Sequence, residues 1–373
     1  MKIGIDIRMA GTQNGGIGRY ISELVNGLVS RDLQNDYFLF YRDNSNLGDL
    51  DLEAKTAKTI LVKAPFRHYS LKEQLLFPRV LKKYNLDLAH FPNFNVPIRY
   101  KRPFVVTIHD LIHHKLGGVK KTNFLHFFAY KKVIGSAVLS AKKIITVSEA
   151  SKKDLVEEFS VPEAKVSVIY EGVSLSGMPT EKQIAEVKGK YLLSRPYFLF
   201  VGVLQRNKNL PGLTVGFNKF LARSGLDFDL CIVGKTDPHY PEIKTQALNI
   251  KHAEHLVFTG EVSDEDLKSL YAGANAFVSA SRFEGFGLPG LEAMSYGLPL
   301  AVSNIPVFNE IYENGAIYFD NGNTDSIAEC LRLLAQDRLY YMQVRANAQA
   351  RVKAFSWEKC AQETLQVYKT ALI

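Results

Sequence analysis

The chain has 373 residues, 46% of them hydrophobic and 23% charged, which is typical of a globular protein and too long for one small domain. Residues 1–180 contain 26 Lys and Arg against 17 Asp and Glu, whereas residues 181–373 contain 20 against 21, so the positive excess lies in the first half. This excess can attract nucleic acid, anionic lipid or a phosphorylated substrate, and the charge alone does not choose among them.

Short runs of β-branched and aromatic residues alternate with helical patterns along the whole chain. In the first half the predicted strands are Ile3–Ile7, Tyr37–Tyr41, Ile60–Lys63, Leu86–His90, Phe104–His109, Ile144–Val147 and Val166–Tyr170. In the second half they are Tyr197–Val201, Leu230–Val233, Leu256–Thr259, Ala276–Ala280, Leu300–Ser303 and Ile317–Phe319. Parallel sheets covered by helices on both faces have this pattern, so we predict an α/β fold with two doubly wound domains.

We place the first domain at residues 1–176 and the second at residues 190–354, because a stretch with Ser, Gly and Pro and a charged helix separate them. The segment 357–373 has apolar residues at helical spacing and is expected to complete the first domain. Ligands of such sheets bind outside the carboxyl ends of strands, so we expect the site in a cleft between the domains.

The three cysteines, Cys231, Cys330 and Cys360, lie far apart, which predicts buried free thiols and neither a disulfide nor a zinc framework. Asp6 and Arg8 interrupt the N-terminal apolar segment, and no run of about 18 apolar residues follows. We therefore expect a cytoplasmic protein without a transmembrane span.

The first motif, GTQNGGIGRY at residues 11–20, follows the first predicted strand and opens an amphipathic helix. Gly15 and Gly16 let the backbone approach a phosphate, and the helix start adds its dipole. A flexible loop is the alternative. A nicotinamide oxidoreductase is disfavoured, because Ile21 stands where its fingerprint needs a small residue and no acidic residue caps a strand about 20 residues on.

Two further strand ends carry polar side chains. His109 lies in TIHDL at residues 107–111 and is placed to contact a substrate, although it could simply cap its own strand. Arg206 and Lys208 lie in FVGVLQRNKNL at residues 200–210 and can neutralise a diphosphate, although they could also be a solvated surface pair. His113 and His114 are not expected to form a metal set.

The most informative motif is EGFGLPGLEAM at residues 284–294, in which a glycine turn opens a helix. We place Pro289 at the first helical position and Glu292 about two turns inside the helix. The helix start suits a phosphate, and Glu284 and Glu292 suit the hydroxyl groups of sugars that flank it. The motif therefore predicts a nucleotide-sugar ligand, with phosphate in the middle and polyols on both sides.

These motifs, in this order, resemble the retaining nucleotide-sugar glycosyltransferases of family 4, whose GT-B fold has two doubly wound Rossmann-like domains that face each other across a cleft. The resemblance covers nearly the whole chain, and it includes ITVSEASKKDL at 145–155, VIYEGV at 168–173 and SRFEGFGLPGLEAMSYGLPLAVS at 281–303. The pattern looks most like bacterial mannosyltransferases that build surface polysaccharide, including lipopolysaccharide.

The resemblance implies that a hexosyl group, best mannosyl from GDP-mannose, moves from a nucleotide-sugar to a hydroxyl of a glycan or lipid-linked acceptor. The nucleotide-sugar is a co-substrate, and no cofactor and no divalent metal are expected. Catalytic roles fall on His109, Lys208, Arg206 and Glu284. The donor-binding set is Gly15, Gly16, Val262, Gly285, Phe286, Gly287, Leu288 and Glu292. Family members often carry Arg where Val203 or Asn207 stands here, so Arg206 would have to substitute.

The basic first half also predicts an anionic membrane surface as partner, on the inner face of the cell membrane. The basic residues are Lys82, Lys83, Lys120, Lys121, Lys131 and Lys132, and the last four flank the aromatic segment 124–130. The aromatic residues could instead face the core. Nucleic acid is not expected as a partner, because it explains the charge and not the ligand-binding motifs.

Three alternatives stay open. The donor could be a UDP-linked glucosyl, galactosyl or N-acetylhexosaminyl group, or the acceptor could be soluble. A non-catalytic nucleotide-sugar binding protein is disfavoured, because Lys208, His109, Glu284 and Glu292 occur together.

Overall fold

The computed structural model describes residues 1–51, 57–115, 124–174 and 177–372. The chain divides into two compact units, of which the first is Met1–Gly172 with Phe355–Ile373 and the second is Val173–Ala354. The final helix therefore belongs to the first unit.

The strands of the first unit are β1 (Lys2–Asp6), β2 (Asp36–Tyr41), β3 (Lys58–Lys63), β4 (Leu88–Phe91), β5 (Phe104–Ile108), β6 (Lys143–Thr146) and β7 (Val166–Val168). Those of the second unit are β8 (Tyr197–Val201), β9 (Asp229–Val233), β10 (Leu256–Gly260), β11 (Ala276–Ser279), β12 (Leu300–Ser303) and β13 (Ala316–Phe319). The helices are α1 (Gly15–Val29), α2 (Leu71–Lys82), α3 (Ile112–Lys115), α4 (Phe124–Ser140), α5 (Glu149–Phe159), α6 (Glu181–Lys190), α7 (Leu210–Ser224), α8 (Glu242–Ala247), α9 (Asp264–Gly273), α10 (Leu288–Ser295), α11 (Pro306–Tyr312), α12 (Thr324–Gln336), α13 (Arg338–Arg351) and α14 (Trp357–Thr370).

Each unit is built on one parallel sheet. The strand order is β3-β2-β1-β4-β5-β6-β7 in the first unit and β10-β9-β8-β11-β12-β13 in the second. In both sheets the order reverses beside the first strand of the unit, as in doubly wound folds. The predicted α/β fold with two Rossmann-like domains is confirmed.

The predicted strands all overlap observed ones, and most differences are of one or two residues at the ends. β4 begins at Leu88 rather than at the predicted Leu86, because Leu86 packs on Gly4 instead of pairing with β1. A Cβ atom at Gly4 would lie 2.4 Å from a methyl carbon of Leu86, so the glycine makes room for the leucine. The predicted strand Leu230–Val233 begins one residue earlier, at Asp229, whose buried carboxylate pairs with Arg195.

The last helix, α14, packs on α1 and on the sheet of the first unit. Gly27 of α1 allows the close approach of Ala361, since a Cβ atom there would lie 2.8 Å from the alanine Cβ. Tyr368 is fully buried, and its hydroxyl lies 2.7 Å from Nδ1 of His90 in β4. Residues at the end of the chain thus complete the core of its first half.

The three cysteines are free and buried, as predicted. Among the described helices, none combines the length and the hydrophobicity that are needed to span a bilayer.

Candidate active site

In the second unit, the side chains of Lys208 and Glu284 meet although they are 76 residues apart. Lys208 ends a 3-10 turn after β8, and Glu284 follows β11, the strand beside β8 in the sheet. The ammonium nitrogen of Lys208 lies 2.6 Å from Oε1 of Glu284, and the Ser281 hydroxyl donates to the same oxygen at 2.7 Å. The structure therefore brings together two of the residues to which the sequence assigned catalytic roles.

The glycine turn after Glu284 is fixed by packing. Gly287 has a φ of +102° and caps α10, and the Tyr312 hydroxyl donates to its carbonyl at 2.6 Å. A Cβ atom at Gly287 would lie 2.2 Å from that hydroxyl oxygen, so only glycine fits. Gly285 and Phe286 are buried, and Leu288 is the first helical residue.

Two details of this motif were predicted wrongly. Pro289 is the second helical residue rather than the first, because Gly287 serves as the cap and Leu288 takes the first position. Glu292 is the fifth residue of α10, just over one turn inside the helix and not two. The amide of Leu288 still lies in the first turn, where backbone N–H groups have no partner within the helix.

Glu292 is held by an aromatic pair from neighbouring segments. The Tyr271 hydroxyl of α9 donates to Oε2 of Glu292 at 2.9 Å. The Tyr271 ring stacks on Tyr296, with the ring centroids 5.6 Å apart. The carboxylate is half-buried and keeps a fixed direction, as a group that recognises hydroxyls needs.

Arg206 and Val262 lie elsewhere on the second unit. Arg206 is half exposed, contacts Glu242 at 3.2 Å and places its guanidinium over the Tyr240 ring at 5.1 Å. The structure therefore directs Arg206 toward α8, whereas Lys208 points to Glu284. Val262 is half-buried in the loop after β10.

In the first unit, Gly15 and Gly16 are the first two residues of α1, and both are exposed. Gly15 has a φ of +62°, and a Cβ atom there would meet nothing within 4 Å. Gly18 is the glycine that the packing requires, since its Cβ atom would lie 1.9 Å from the carbonyl oxygen of Gly11. Gly11 is also buried and has a φ of +103°, so the motif contains two structural glycines and two exposed ones.

His109 lies just after β5 and makes two hydrogen bonds through its ring. Nδ1 lies 3.1 Å from Oε1 of Glu171, and Nε2 lies 3.0 Å from the carbonyl oxygen of Pro92. The edge of Tyr20 packs against the ring, with centroids 4.7 Å apart. The histidine therefore bridges the ends of other strands, and the alternative that it caps its own strand is wrong.

Both partners of the His109 ring are acceptors, so the geometry fits the imidazolium form, in which both ring nitrogens donate. Burial by itself lowers the pKa of His109, but the hydrogen bond and charge of Glu171 raise it, and the net pKa lies above the ordinary 6.5. The Pro92 carbonyl and the charge of Asp110 act in the same direction. Neither ring nitrogen has a lone pair left to act as a base.

Glu171 is a residue of this site that the sequence reasoning missed. Its side chain is only 5% exposed, and it is 62 residues from His109 along the chain. The signal was present, because VIYEGV places an acidic residue directly after a strand. Without the strand order, its partner was not identifiable.

The described residues contain one group of three potential metal ligands, formed by His252, Glu254 and His255. Their ligand atoms lie within 4.8 Å of one another, at the amino end of β10 and so opposite the loop that holds Val262. Asp227 and Asp229 contact Arg195 and His255. His114 contacts Tyr130 and Glu158, and the side chain of His113 lies outside the described residues.

The predicted basic and aromatic surface is described in part. Lys120, Lys121 and the side chains of residues 124–126 lie outside the described residues. Phe128 is 61% exposed, and the ammonium of Lys131 lies 4.9 Å from the centre of the Phe127 ring. Tyr130 packs edge-on against Phe94 and is half-buried, as the core-facing alternative requires for this residue.

Each half of the chain matches the sequence model of a known protein family. The sequence model of Glycosyltransferase Family 4 matches residues 14–176, and that of Glycosyl transferases group 1 matches residues 183–351. An uncharacterized glycosyltransferase of Methanocaldococcus jannaschii is 31% identical over 300 residues, which are 76% of this chain and 74% of that protein. The chain belongs to the glycosyltransferases. The resemblance expected from the motifs is confirmed.

Two further proteins align with almost the whole length of this glycosyltransferase. O-antigen chain mannosyltransferase B of Escherichia coli is 29% identical over 369 residues, which are 95% of this chain and 96% of that protein. The crystal structure of Anabaena HepE in complex with UDP and glucose superposes with a TM-score of 0.77 at 16% identity, and covers 99% of this chain and 100% of that one. The fold of this glycosyltransferase is the GT-B fold.

Proposed function

We propose that this glycosyltransferase moves a mannosyl group from GDP-mannose to a hydroxyl of a glycan or lipid-linked acceptor, with retention of configuration, in the synthesis of a surface polysaccharide. The similarity to O-antigen chain mannosyltransferase B along nearly the whole length supports the sugar and the process. The single observation that carries the proposal is the contact of Lys208 with Glu284 at the start of the glycine turn.

Lys208 stabilises the leaving diphosphate in this proposal. Breaking the bond between the anomeric carbon and phosphate leaves growing negative charge, and preorganised positive groups aimed at that charge lower the barrier most. The ammonium is already held in place by Glu284, so little rearrangement is needed when phosphate replaces one of its contacts. The amide of Leu288 and the dipole of α10 add to this stabilisation.

Glu284 and Glu292 bind hydroxyl groups on the two sides of the diphosphate. When a donor phosphate forms an ion pair with Lys208 in place of Glu284, the Glu284 carboxylate is available for hydroxyls of the transferred sugar. Glu292, oriented by Tyr271, accepts from the ribose hydroxyls. Backbone around Gly285, Phe286 and Gly287 borders the sugar and phosphate, and Val262 borders the base.

His109 acts as a fixed cation paired with Glu171 rather than as a base. Its ring nitrogens both donate to acceptors, so the proton of the attacking hydroxyl passes to an oxygen of the leaving phosphate. Attack on the face from which the diphosphate departs gives retention. Arg206 has a lesser role than Lys208, because its guanidinium is engaged with Glu242 and Tyr240. Lys208 and α10 supply the positive charge, and the proposal includes no divalent metal or other cofactor.

A UDP-hexose is the second candidate donor. The Anabaena protein of the same fold binds UDP and glucose, and the residues that contact the base in this proposal offer backbone rather than a base-specific side chain. An acceptor carried by a lipid places the enzyme in the cytoplasm, peripherally on the inner face of the membrane. The proposal does not include nucleic acid as a partner.

The proposal is tested with a panel of GDP- and UDP-sugars, by thermal stabilisation and by transfer or hydrolysis of the donor. We expect GDP-mannose to stabilise the protein most and to be turned over. Lys208→Met, which keeps the aliphatic chain, should lower turnover by about 100-fold or more. Lys219→Met, at a surface pair with Asp325, is the matched control and should leave turnover unchanged.

Two outcomes would contradict this proposal. Stabilisation without any turnover would support a binding protein instead of an enzyme. Near-normal turnover of Lys208→Met would show that Lys208 does not stabilise the leaving diphosphate.

A further inference from the structure

The group of three potential metal ligands in the second unit lies at the amino end of β10. It consists of His252, Glu254 and His255, whose ligand atoms lie within 4.8 Å of one another. β10 lies at one edge of its sheet, and the 3-10 turn Ala253–His255 leads directly into it. Ligands of parallel sheets bind at the opposite, carboxyl ends of the strands, so this group is separate from the proposed donor site.

The turn brings two imidazole rings to the same side of the chain. The backbone amide of His255 donates to the carbonyl of His252 at 3.2 Å, and side chains three residues apart eclipse in such a turn. The ring centroids are 6.1 Å apart. Oε1 of Glu254 lies 3.5 Å from Nδ1 of His252 and 3.9 Å from Nε2 of His255. Two ring nitrogens and one carboxylate oxygen are therefore close enough to share one ion.

The ring of His255 is oriented in the way that metal-binding histidines are. Nδ1 lies 2.9 Å from the carbonyl oxygen of Phe228, which can only accept, so Nδ1 carries the proton. In the neutral ring the lone pair is then on Nε2, the nitrogen that lies near Glu254. Carboxylate oxygens of Asp227 and Asp229 lie 3.7 and 3.6 Å from the same Nδ1. Such partners fix the direction of a ligating imidazole and raise its basicity.

A small movement of two side chains would complete the site. Zinc binds nitrogen and oxygen at about 2.0–2.2 Å, which in a tetrahedral site places the ligand atoms roughly 3.3 Å apart. The side chain of His255 is only 14% exposed, whereas those of His252 and Glu254 are 27% and 63% exposed. His255 is therefore the fixed ligand, and the other two can close on the ion.

We propose that His252, Glu254 and His255 bind one divalent transition-metal ion of the zinc class, with water in the remaining position. Two imidazoles and one carboxylate are a ligand set that suits zinc, whereas magnesium and calcium prefer oxygen ligands alone. The ion fastens the start of the edge strand β10, and through the hydrogen bond of His255 to Phe228 it also stabilises the start of β9. This site takes no part in the proposed transfer reaction and does not depend on it.

The test uses the full-length protein without a histidine tag, freed of metal with a chelator and titrated with zinc chloride by calorimetry. We expect one ion per chain, and no binding of magnesium chloride under the same conditions. His252→Ala should weaken zinc binding by at least about tenfold, because a ligand is lost. His239→Ala is the matched control and should leave zinc binding unchanged, since His239 is exposed and contacts the single carboxylate of Asp237. Melting temperatures of the metal-free variants separate a loss of fold from a loss of binding.

Cobalt chloride reports on the ligands themselves. Bound cobalt should show the visible bands of an ion with nitrogen and oxygen ligands, without the sulfur charge-transfer band that a cysteine would produce. These bands should be lost in His252→Ala. Zinc should also slow hydrogen exchange of the backbone amides at the start of β10 in the unsubstituted protein, and not in this variant.

Absence of zinc binding by the unsubstituted protein would overturn this inference, as would an unchanged zinc affinity of His252→Ala. A sulfur-to-cobalt band would assign the ion to a cysteine and would also overturn it. None of these results affects the proposed function, and a failure of the donor panel would leave the metal site standing.

Discussion

At residue 171 a buried glutamate decides what His109 can do. A histidine at the end of an apolar strand could be a base, a neutral donor or a cation, and the choice depends on what its two nitrogens face. Glu171 and the Pro92 carbonyl both accept, so the ring is held as a cation in a fixed orientation. In this state neither ring nitrogen has a lone pair with which to remove a proton.

This pair predicts a pH dependence of stability. The pKa of His109 is raised above its ordinary 6.5, so the pair stabilises the fold fully below about pH 6.5 and less as the pH rises through the raised pKa. Glu171→Gln removes the charge with little change in shape. We expect it to lower the free energy of unfolding by about 1–3 kcal/mol at pH 6, and by less at pH 9.

Urea unfolding at the two pH values measures this difference, and the NMR shift of the His109 ring gives its pKa directly. Glu163→Gln, at an exposed glutamate of the same unit, is the control. A difference that does not change between pH 6 and pH 9 would show that His109 is not the titrating group.

At the scale of elements, the glycine turn before α10 depends on one tyrosine of α11. Gly287→Ala puts a methyl group 2.2 Å from the Tyr312 hydroxyl oxygen at a residue with positive φ. We expect a loss of roughly 1–3 kcal/mol in stability and a loss of donor binding, because the turn must shift. Thermal unfolding and titration with the nucleotide-sugar measure both effects.

The control is Gly189→Ala in α6, where an added Cβ atom meets nothing within 4 Å. This change should be neutral or stabilise by up to about 1 kcal/mol, since alanine favours a helix. Equal behaviour of the two variants would mean that the turn is not held by Tyr312.

Another element, α2, has exposed leucines beside basic residues. Its leucines Leu71, Leu75 and Leu76 are exposed, and Lys72 and Arg79 lie on the same helix. The helix ends at Lys82 and is capped by Lys83. Both lysines belong to the basic surface predicted from the sequence. Apolar side chains with basic neighbours suit an anionic lipid surface.

Leu75→Glu should weaken binding to vesicles with anionic lipid by at least about tenfold, because it removes apolar burial and adds a negative charge. Sedimentation with vesicles, at low and at high salt, measures the binding. Leu339→Glu, at an exposed leucine of the second unit, is the matched control. Equal loss in the two variants, or no loss in either, would contradict a membrane role of α2.

For the whole molecule, the end of the chain stabilises its beginning. Trp357, Cys360 and Tyr368 of α14 are buried in the first unit, and Tyr368 contacts His90 in β4. The second unit has its own sheet, and its described strands and helices all come from residues 173–354. The two units therefore depend on α14 to different degrees.

Deletion of residues 355–373 should abolish cooperative unfolding of the first unit and spare the second. The buried aromatic side chains alone contribute about 1.5–3 kcal/mol each, which is a large part of the stability of a domain. Limited proteolysis with calorimetry would show a protected second unit and a degraded first one. Tyr368→Phe removes only the contact with His90 and should cost about 1 kcal/mol. A truncated chain in which both units resist proteolysis would refute this dependence.

The sequence by itself determined the fold and the glycine-turn motif, because both are encoded locally. Strand and helix periods predict parallel sheets, and EGFGLPGLEAM contains its turn, its helix start and both carboxylates within eleven residues. Predictions failed at the ends of elements, as for β4 and Pro289, where packing against distant residues such as Gly4 decides the boundary.

Only the tertiary structure decided which side chains meet. The side chains of Lys208 and Glu284 meet because β8 and β11 are neighbours in the sheet. The side chains of His109 and Glu171 meet although they follow different strands. Arg206 is directed to Glu242, and Asp6, His68 and Asn93 line one cavity from a strand end and two loops. These contacts depend on the order of strands in a sheet, which local periodicity does not contain, since each strand pattern is compatible with several neighbours.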